Sequence, residues 1–445
     1  MFPRGLLPLF LLLSLGAVQT AAVSISSLFN VLSGGGACND DYVTLMDSYL
    51  SDVQELSTAF ADAITQAITL SDSEEGWVAR GLFWSWFGIQ IDENGVVTSE
   101  TEAQWEVVKD ISTKMTSFLG GSGMAAPQTP PEILCDGNGF AKYSWEASIL
   151  KWDSETSSYF TYEIDDEEPE LSEIYDYNPD LVPYLQEENH NYYLVKAGTS
   201  DNNICQKDSG NQLYGQAFSG QGESTKTYLA NPVHMPAISP LLLMCPATLA
   251  ETSLADIITA SDDYDLGVTQ ISSLTSRARG PTTLFHELIH LISYWTETAD
   301  GDFSFNSDEY VTDYTCKSSE ILMINFFLGS DTKLVADDVD QCLWMAFGQA
   351  TVEVPQEDGS TVEKTFTASD TVRNAESYTF FALAYWYYLE TGETFYTGLL
   401  SAWDTPFNGG DADGSDVGSD TGSAKRSTKP LRYGQWIGHS HSKRH

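Results

Sequence analysis

The chain has 445 residues, with 64 Asp and Glu against 21 Lys and Arg and a formal net charge of −43. That balance repels phosphate backbones and anionic lipid, so nucleic acid and membrane surfaces are excluded as partners, while basic peptides are not. Six cysteines, an even number without a CxxC pair, argue for disulfides rather than a thiolate metal site.

Residues 1–22 carry Arg4, an apolar run from Leu6 to Val18 and small residues near Thr20 and Ala22. This is the grammar of a signal peptide and predicts a secreted, extracellular protein. No later stretch is apolar for long enough to span a bilayer, so no membrane association is expected after its removal.

Helical spacing of Met46, Leu50, Val53, Phe60, Ile64 and Ile68 predicts a long amphipathic helix over 41–70. A short aromatic segment over 77–89 and a third helix over 101–119, with Trp105, Val108, Ile111, Met115 and Leu119 on one face, read as packing elements. Residues 120–131 are rich in Gly, Ala and Pro and read as a loop. Beyond Cys135 the pattern turns to strands: 140–152 and 157–164 form an expected hairpin, 191–196 a strand, and 240–244 an apolar strand ending at Cys245. The acidic run 163–173 lacks the alternating ligands and turn glycine of a calcium loop and reads as solvated surface. A short helix is expected over 254–260.

Pro281 to Trp295 reads PTTLFHELIHLISYW and contains His286-Glu287-Leu288-Ile289-His290. Leu284, Leu288, Leu291 and Trp295 give a helical stripe, Thr282 or Thr283 is the expected cap, and Pro281 fits a first turn. Four residues make just over one turn, so the two imidazoles share a face, roughly 5–6 Å apart at Cβ. That spacing suits two corners of a Zn²⁺ tetrahedron, and Glu287 is placed as general base for a water activated by the ion. The chain has only 7 histidines, and this pentapeptide holds two of them.

Farther on, 320–328 and 341–347 read as helices, 351–354 and 361–367 as a hairpin around Gly359, and 374–389 as a buried helix capped by Asn374. Residues 405–445 read as a low-complexity tail.

A catalytic zinc needs a third protein ligand. Ser293 and Thr296 occupy the Gly and last His of the extended HExxHxxGxxH pattern, which argues strongly against that class. Asp300, Asp302, Asp308, Glu309 and Asp313 follow, and Glu309 with Asp313 also fits an ExxxD arrangement; spacing leaves the choice open.

Thr283–His290, Val311-Thr312-Asp313-Tyr314 and Asn374-Ala375-Glu376-Ser377-Tyr378 together resemble the deuterolysin-like aspzincins, secreted metalloendopeptidases found largely in fungi. The resemblance spans about 38–389, with an insertion near 150–235. It implies His286, His290 and Asp313 as metal ligands, with Glu309 the runner-up, and one catalytic Zn²⁺. It also implies disulfides Cys38–Cys135 and Cys205–Cys245, leaving Cys316–Cys342 as a further pair. Tyr310, Tyr314 or Tyr378 would supply a transition-state phenol.

The sequence thus predicts an α+β, mainly helical, zincin-like domain over 23–404 with a small β-sheet and a β-rich insertion. Its expected activity is hydrolysis of protein or peptide substrates by a monomer, with Glu287 as the base. The alternative is a secreted zinc-binding or surface-interaction protein that keeps the fold without useful catalysis.

Overall fold

The computed structural model describes residues 23–69, 73–121, 130–175, 177–179, 181–196, 199–200, 203–207, 212–218, 224–229, 231–235, 238–261, 274–275, 277–293, 295–297, 303–305, 351–355, 361–365 and 368–392. The chain is α+β. Its first part holds α1 (Ile25–Leu28), β1 (Asn30–Val31), α2 (Asp40–Ile68), α3 (Glu74–Phe87), α4 (Glu102–Leu119) and β2 (Glu132–Leu134). Short strands follow: β3 (Phe140–Lys142), β4 (Leu150–Asp153), β5 (Ser158–Thr161), then helix α5 (Leu171–Ile174), β6 (Leu181–Gln186), β7 (Tyr192–Lys196), β8 (Thr199–Ser200) and β9 (Asn203–Lys207). Next come β10 (Gly215–Phe218), β11 (Ser224–Tyr228), β12 (Asn231–Met235), β13 (Leu241–Met244), α6 (Leu254–Ser261) and α7 (Arg279–Ser293). The described part closes with β14 (Trp295–Glu297), β15 (Phe303–Phe305), β16 (Thr351–Pro355), β17 (Thr361–Thr365), α8 (Ala368–Thr371) and α9 (Ala375–Thr391).

Helices α2 and α3 begin where their caps dictate, whereas Thr101 and Asn374 make no side-chain cap bond at the starts of α4 and α9. The Asn39 side chain accepts from the Tyr42 amide, and Asp40 and Asp41 offset the positive end of α2. Helix α3 starts earlier than the aromatic run suggests because the Ser73 side chain accepts from the Gly76 amide, and it stops at Gly88, whose φ of 65° suits glycine. Helices α2, α3, α4, α7 and α9 share one core. Its aromatic centre joins Phe83 to Phe381 at 4.5 Å between ring centroids and Phe87 to Tyr378 at 4.9 Å.

The main sheet has the order β1-β2-β13-β10, with β1, β2 and β13 parallel and β10 antiparallel at the edge. The apolar run of β13 is explained by its two faces, since successive side chains point to opposite sides. Leu242 and Met244 enter the helical core, while Leu241 and Leu243 enter a second core with Phe140, Tyr184, Tyr193 and Phe218. Helices therefore cover one face of the sheet and the strand-rich segment covers the other.

Part of the expected hairpin over 140–152 and 157–164 is corrected. Phe140–Lys142 pairs with β6 instead, and only β4 and β5 pair with each other. The expected first strand is interrupted between Lys142 and Leu150, whereas β4 and β5 are joined by a tight turn at Asp153, whose carboxylate accepts from the Glu155 amide and the Thr156 hydroxyl. Strand β6, which contains Pro183 and pairs with β7, was not anticipated. The hairpin of β16 and β17 forms as expected. The predicted helices over 320–328 and 341–347, and the tail, lie outside the described residues.

Cys38 is bonded to Cys135 and Cys205 to Cys245, as the family resemblance implied. Cys316 and Cys342 lie outside the described residues. Among the described residues, no helix is long and apolar enough to cross a membrane.

Candidate metal centre

The HELIH segment lies in α7. The helix begins at Arg279, so Thr282 and Thr283 are not its cap, as the sequence had suggested. Thr282 lies one turn in, and its hydroxyl donates back to the Ala278 carbonyl at 2.9 Å. Pro281 occupies the first turn, where no amide is needed. Trp295 belongs to β14 rather than to the helical stripe, which ends one turn earlier. Leu284, Phe285, Leu288, Ile289, Leu291 and Ile292 are all buried in the helical core.

Against that apolar body the polar residues converge. The Nε2 atoms of His286 and His290 lie 3.1 Å apart, with the ring planes at 75°. Two nitrogens at about 2.0–2.1 Å from a tetrahedral zinc would be roughly 3.3 Å apart, so the pair fits a shared ion. The side chain of His286 retains 12% exposure, and His290 and Glu287 are buried at 5% and 6%. His286 is thus the most open of the three side chains.

Two neighbours complete the described wall. Gly215, the first residue of edge strand β10, lies against α7. A Cβ there would stand 2.9 Å from Glu287 Cγ, 3.1 Å from its Oε1 and 3.0 Å from Thr283 Cγ2. The start of β10 is pinned by the Tyr214 carbonyl, which accepts from the Cys245 amide at 2.9 Å and the Thr248 hydroxyl at 2.6 Å. The Arg279 guanidinium over the Tyr214 ring, 4.5 Å from its centroid, ties the first residue of α7 to the same point. Glu376, in the first turn of α9, places Oε1 3.6 Å from His286 Nδ1, on the side of the ring away from Nε2.

Sequence reasoning missed Gly215. A lone glycine inside the strand pattern Tyr214–Phe218 is the signal of close backbone approach that points to it. In the sequence Glu376 stands out only as part of the Asn374–Tyr378 segment.

Asp313, Glu309, Tyr310 and Tyr314 lie outside the described residues. Among the described residues, no third His, Cys, Asp or Glu joins the two histidines in a three-ligand group. Tyr378 belongs to the core: it is wholly buried, its hydroxyl donates to the Val372 carbonyl at 2.7 Å, and burial raises its pKa well above the usual phenol value. Comparison with known proteins finds no family model, no curated protein and no solved structure that matches the chain.

Proposed function

We propose that the protein is a secreted zinc metalloendopeptidase of zincin-like architecture, related to the aspzincins. The observation that carries this reading is the convergence of the two Nε2 atoms at 3.1 Å beside the buried Glu287. His286, His290 and Asp313, or Glu309 in its place, would hold one Zn²⁺. When bound, such an ion polarises a scissile carbonyl and lowers the pKa of a water toward about 7.

The chain's own residues do the rest. Glu287 accepts the proton of the attacking water and passes it to the leaving amine. Gly215 lets β10 lie against Glu287, so a substrate peptide running along the sheet edge would present its carbonyl beside the base. The burial of α7 fixes the histidine and glutamate side chains before substrate arrives. The secretory leader read in residues 1–22 and the two disulfides support an extracellular setting.

The test is zinc content and chelator-sensitive cleavage of casein by the wild type and by Glu287→Gln. The expected result is one zinc per chain in both proteins, with turnover lost in the variant. Stoichiometric zinc with no turnover of any peptide library would replace the reading by a non-catalytic zinc-binding protein. Equal cleavage by both proteins would refute Glu287 as the base.

A further inference from the structure

We infer that Glu376 is a positioning residue for His286, setting which ring nitrogen faces the metal; the inference rests on the zinc reading of the site. An imidazole binds a metal through one nitrogen only if the proton resides on the other. A carboxylate on the Nδ1 side favours that proton at Nδ1 and leaves the Nε2 lone pair directed at the ion. Glu376 is the nearest described carboxylate on that side, with Oε1 3.6 Å from Nδ1. This is longer than a hydrogen bond, and a small rotation of the Glu376 side chain would close it.

The fold fixes the backbone of Glu376 beside α7. Its helix neighbours Ala375 and Ser377 are fully buried, and α9 packs against both α7 and α2. The glutamate is the polar residue of that turn which reaches the partly open histidine, with 30% of its side chain exposed. A competing account is that Glu376 only compensates the positive end of α9. That account needs a negative charge anywhere in the first turn and predicts nothing about the metal.

Glu376→Ala and Glu376→Gln distinguish the two. Glutamine keeps a carbonyl acceptor but loses the charge; alanine loses both. Zinc affinity of the full chain, measured by competition with a chromogenic chelator, should fall about 10–100-fold in Glu376→Ala and less in Glu376→Gln. Nitrogen-15 shifts of the His286 ring in the zinc-free protein should show the Nδ1–H tautomer in the wild type and a mixture in Glu376→Ala. Unchanged zinc affinity in both variants, with only a lower melting temperature, would overturn the inference in favour of the helix-end role. Complete loss of zinc in both variants would overturn it in favour of direct ligation. A wild-type protein that binds no zinc would overturn the metal reading itself, a result separable from the other two.

Discussion

Gly215 lies so close to Glu287 that no methyl group fits between the edge strand and the proposed base. Gly215→Ala must displace the Glu287 side chain or the strand by some tenths of an ångström. Small misplacements of a reacting group are costly in rate, whereas alanine is no worse than glycine in a strand. The expected outcome is a fall in kcat of about tenfold or more, with zinc affinity and melting temperature close to wild type. Steady-state kinetics on a peptide substrate, alongside chelator competition, checks it. Wild-type turnover would remove Gly215 from the site.

A second close approach governs stability. Gly280 sits in the first turn of α7 where a Cβ would meet the Tyr49 ring at 2.1 Å. Tyr49 cannot move aside easily, because it is fully buried in α2 and its hydroxyl donates to the carbonyls of Thr248 and Ala250. Gly280→Ala should cost about 2–3 kcal/mol, the cost of overpacking a core, read as a shift in urea midpoint.

The two disulfides should separate stability from activity. Cys38–Cys135 closes a sequence separation of 97 residues and Cys205–Cys245 one of 40. Chain entropy gives about 4.7 kcal/mol for the first and roughly 1 kcal/mol less for the second. The second loop, however, contains β10 and Gly215. Replacing Cys205 and Cys245 by serine should lower kcat more than replacing Cys38 and Cys135, although the latter pair lowers the melting temperature at least as much.

Asp52 offers a pH test. Burial pushes its carboxyl up to about 6, while the Leu254 amide hydrogen bond opposes the rise and Glu55 and Asp256 add to it. A folded-state value above the unfolded one means that the native state holds the extra proton. Stability from this group is therefore present at low pH and is lost as pH rises between about 4 and 6. Asp52→Asn keeps the acceptor for Leu254 and removes the charge. After allowance for partial solvent screening, it should stabilise the protein by about 1 kcal/mol at pH 7.5 and by nothing at pH 3.5. Thermal melts at the two pH values check this.

What the sequence made legible was local. The spacing of Met46, Leu50, Val53 and Phe60, and of Trp105, Val108, Ile111 and Met115, announces helices because each buries a single face. His286 and His290 are legible as a pair because one helical turn alone brings them together. The pairing of β6 with β3 and β7 was not legible, since a proline such as Pro183 is unusual in a central strand and register there is set by residues distant in the chain. Gly215 and Glu376 escaped for the same reason: each acquires its meaning from a neighbour supplied by another element. Helix α9 was legible as buried, yet its periodicity says nothing about which of its residues meets α7.

The alternation along β13 also limits how the protein can be trimmed. Leu241 and Leu243 are kept dry only by the strand-rich segment on their side of the sheet. Excising that segment to reach a minimal helical version would leave an oily strip running along an exposed strand. Such a surface is a template for self-association. A shortened chain should therefore accumulate as insoluble material, and the segment is as much a part of the interior as α2 or α9.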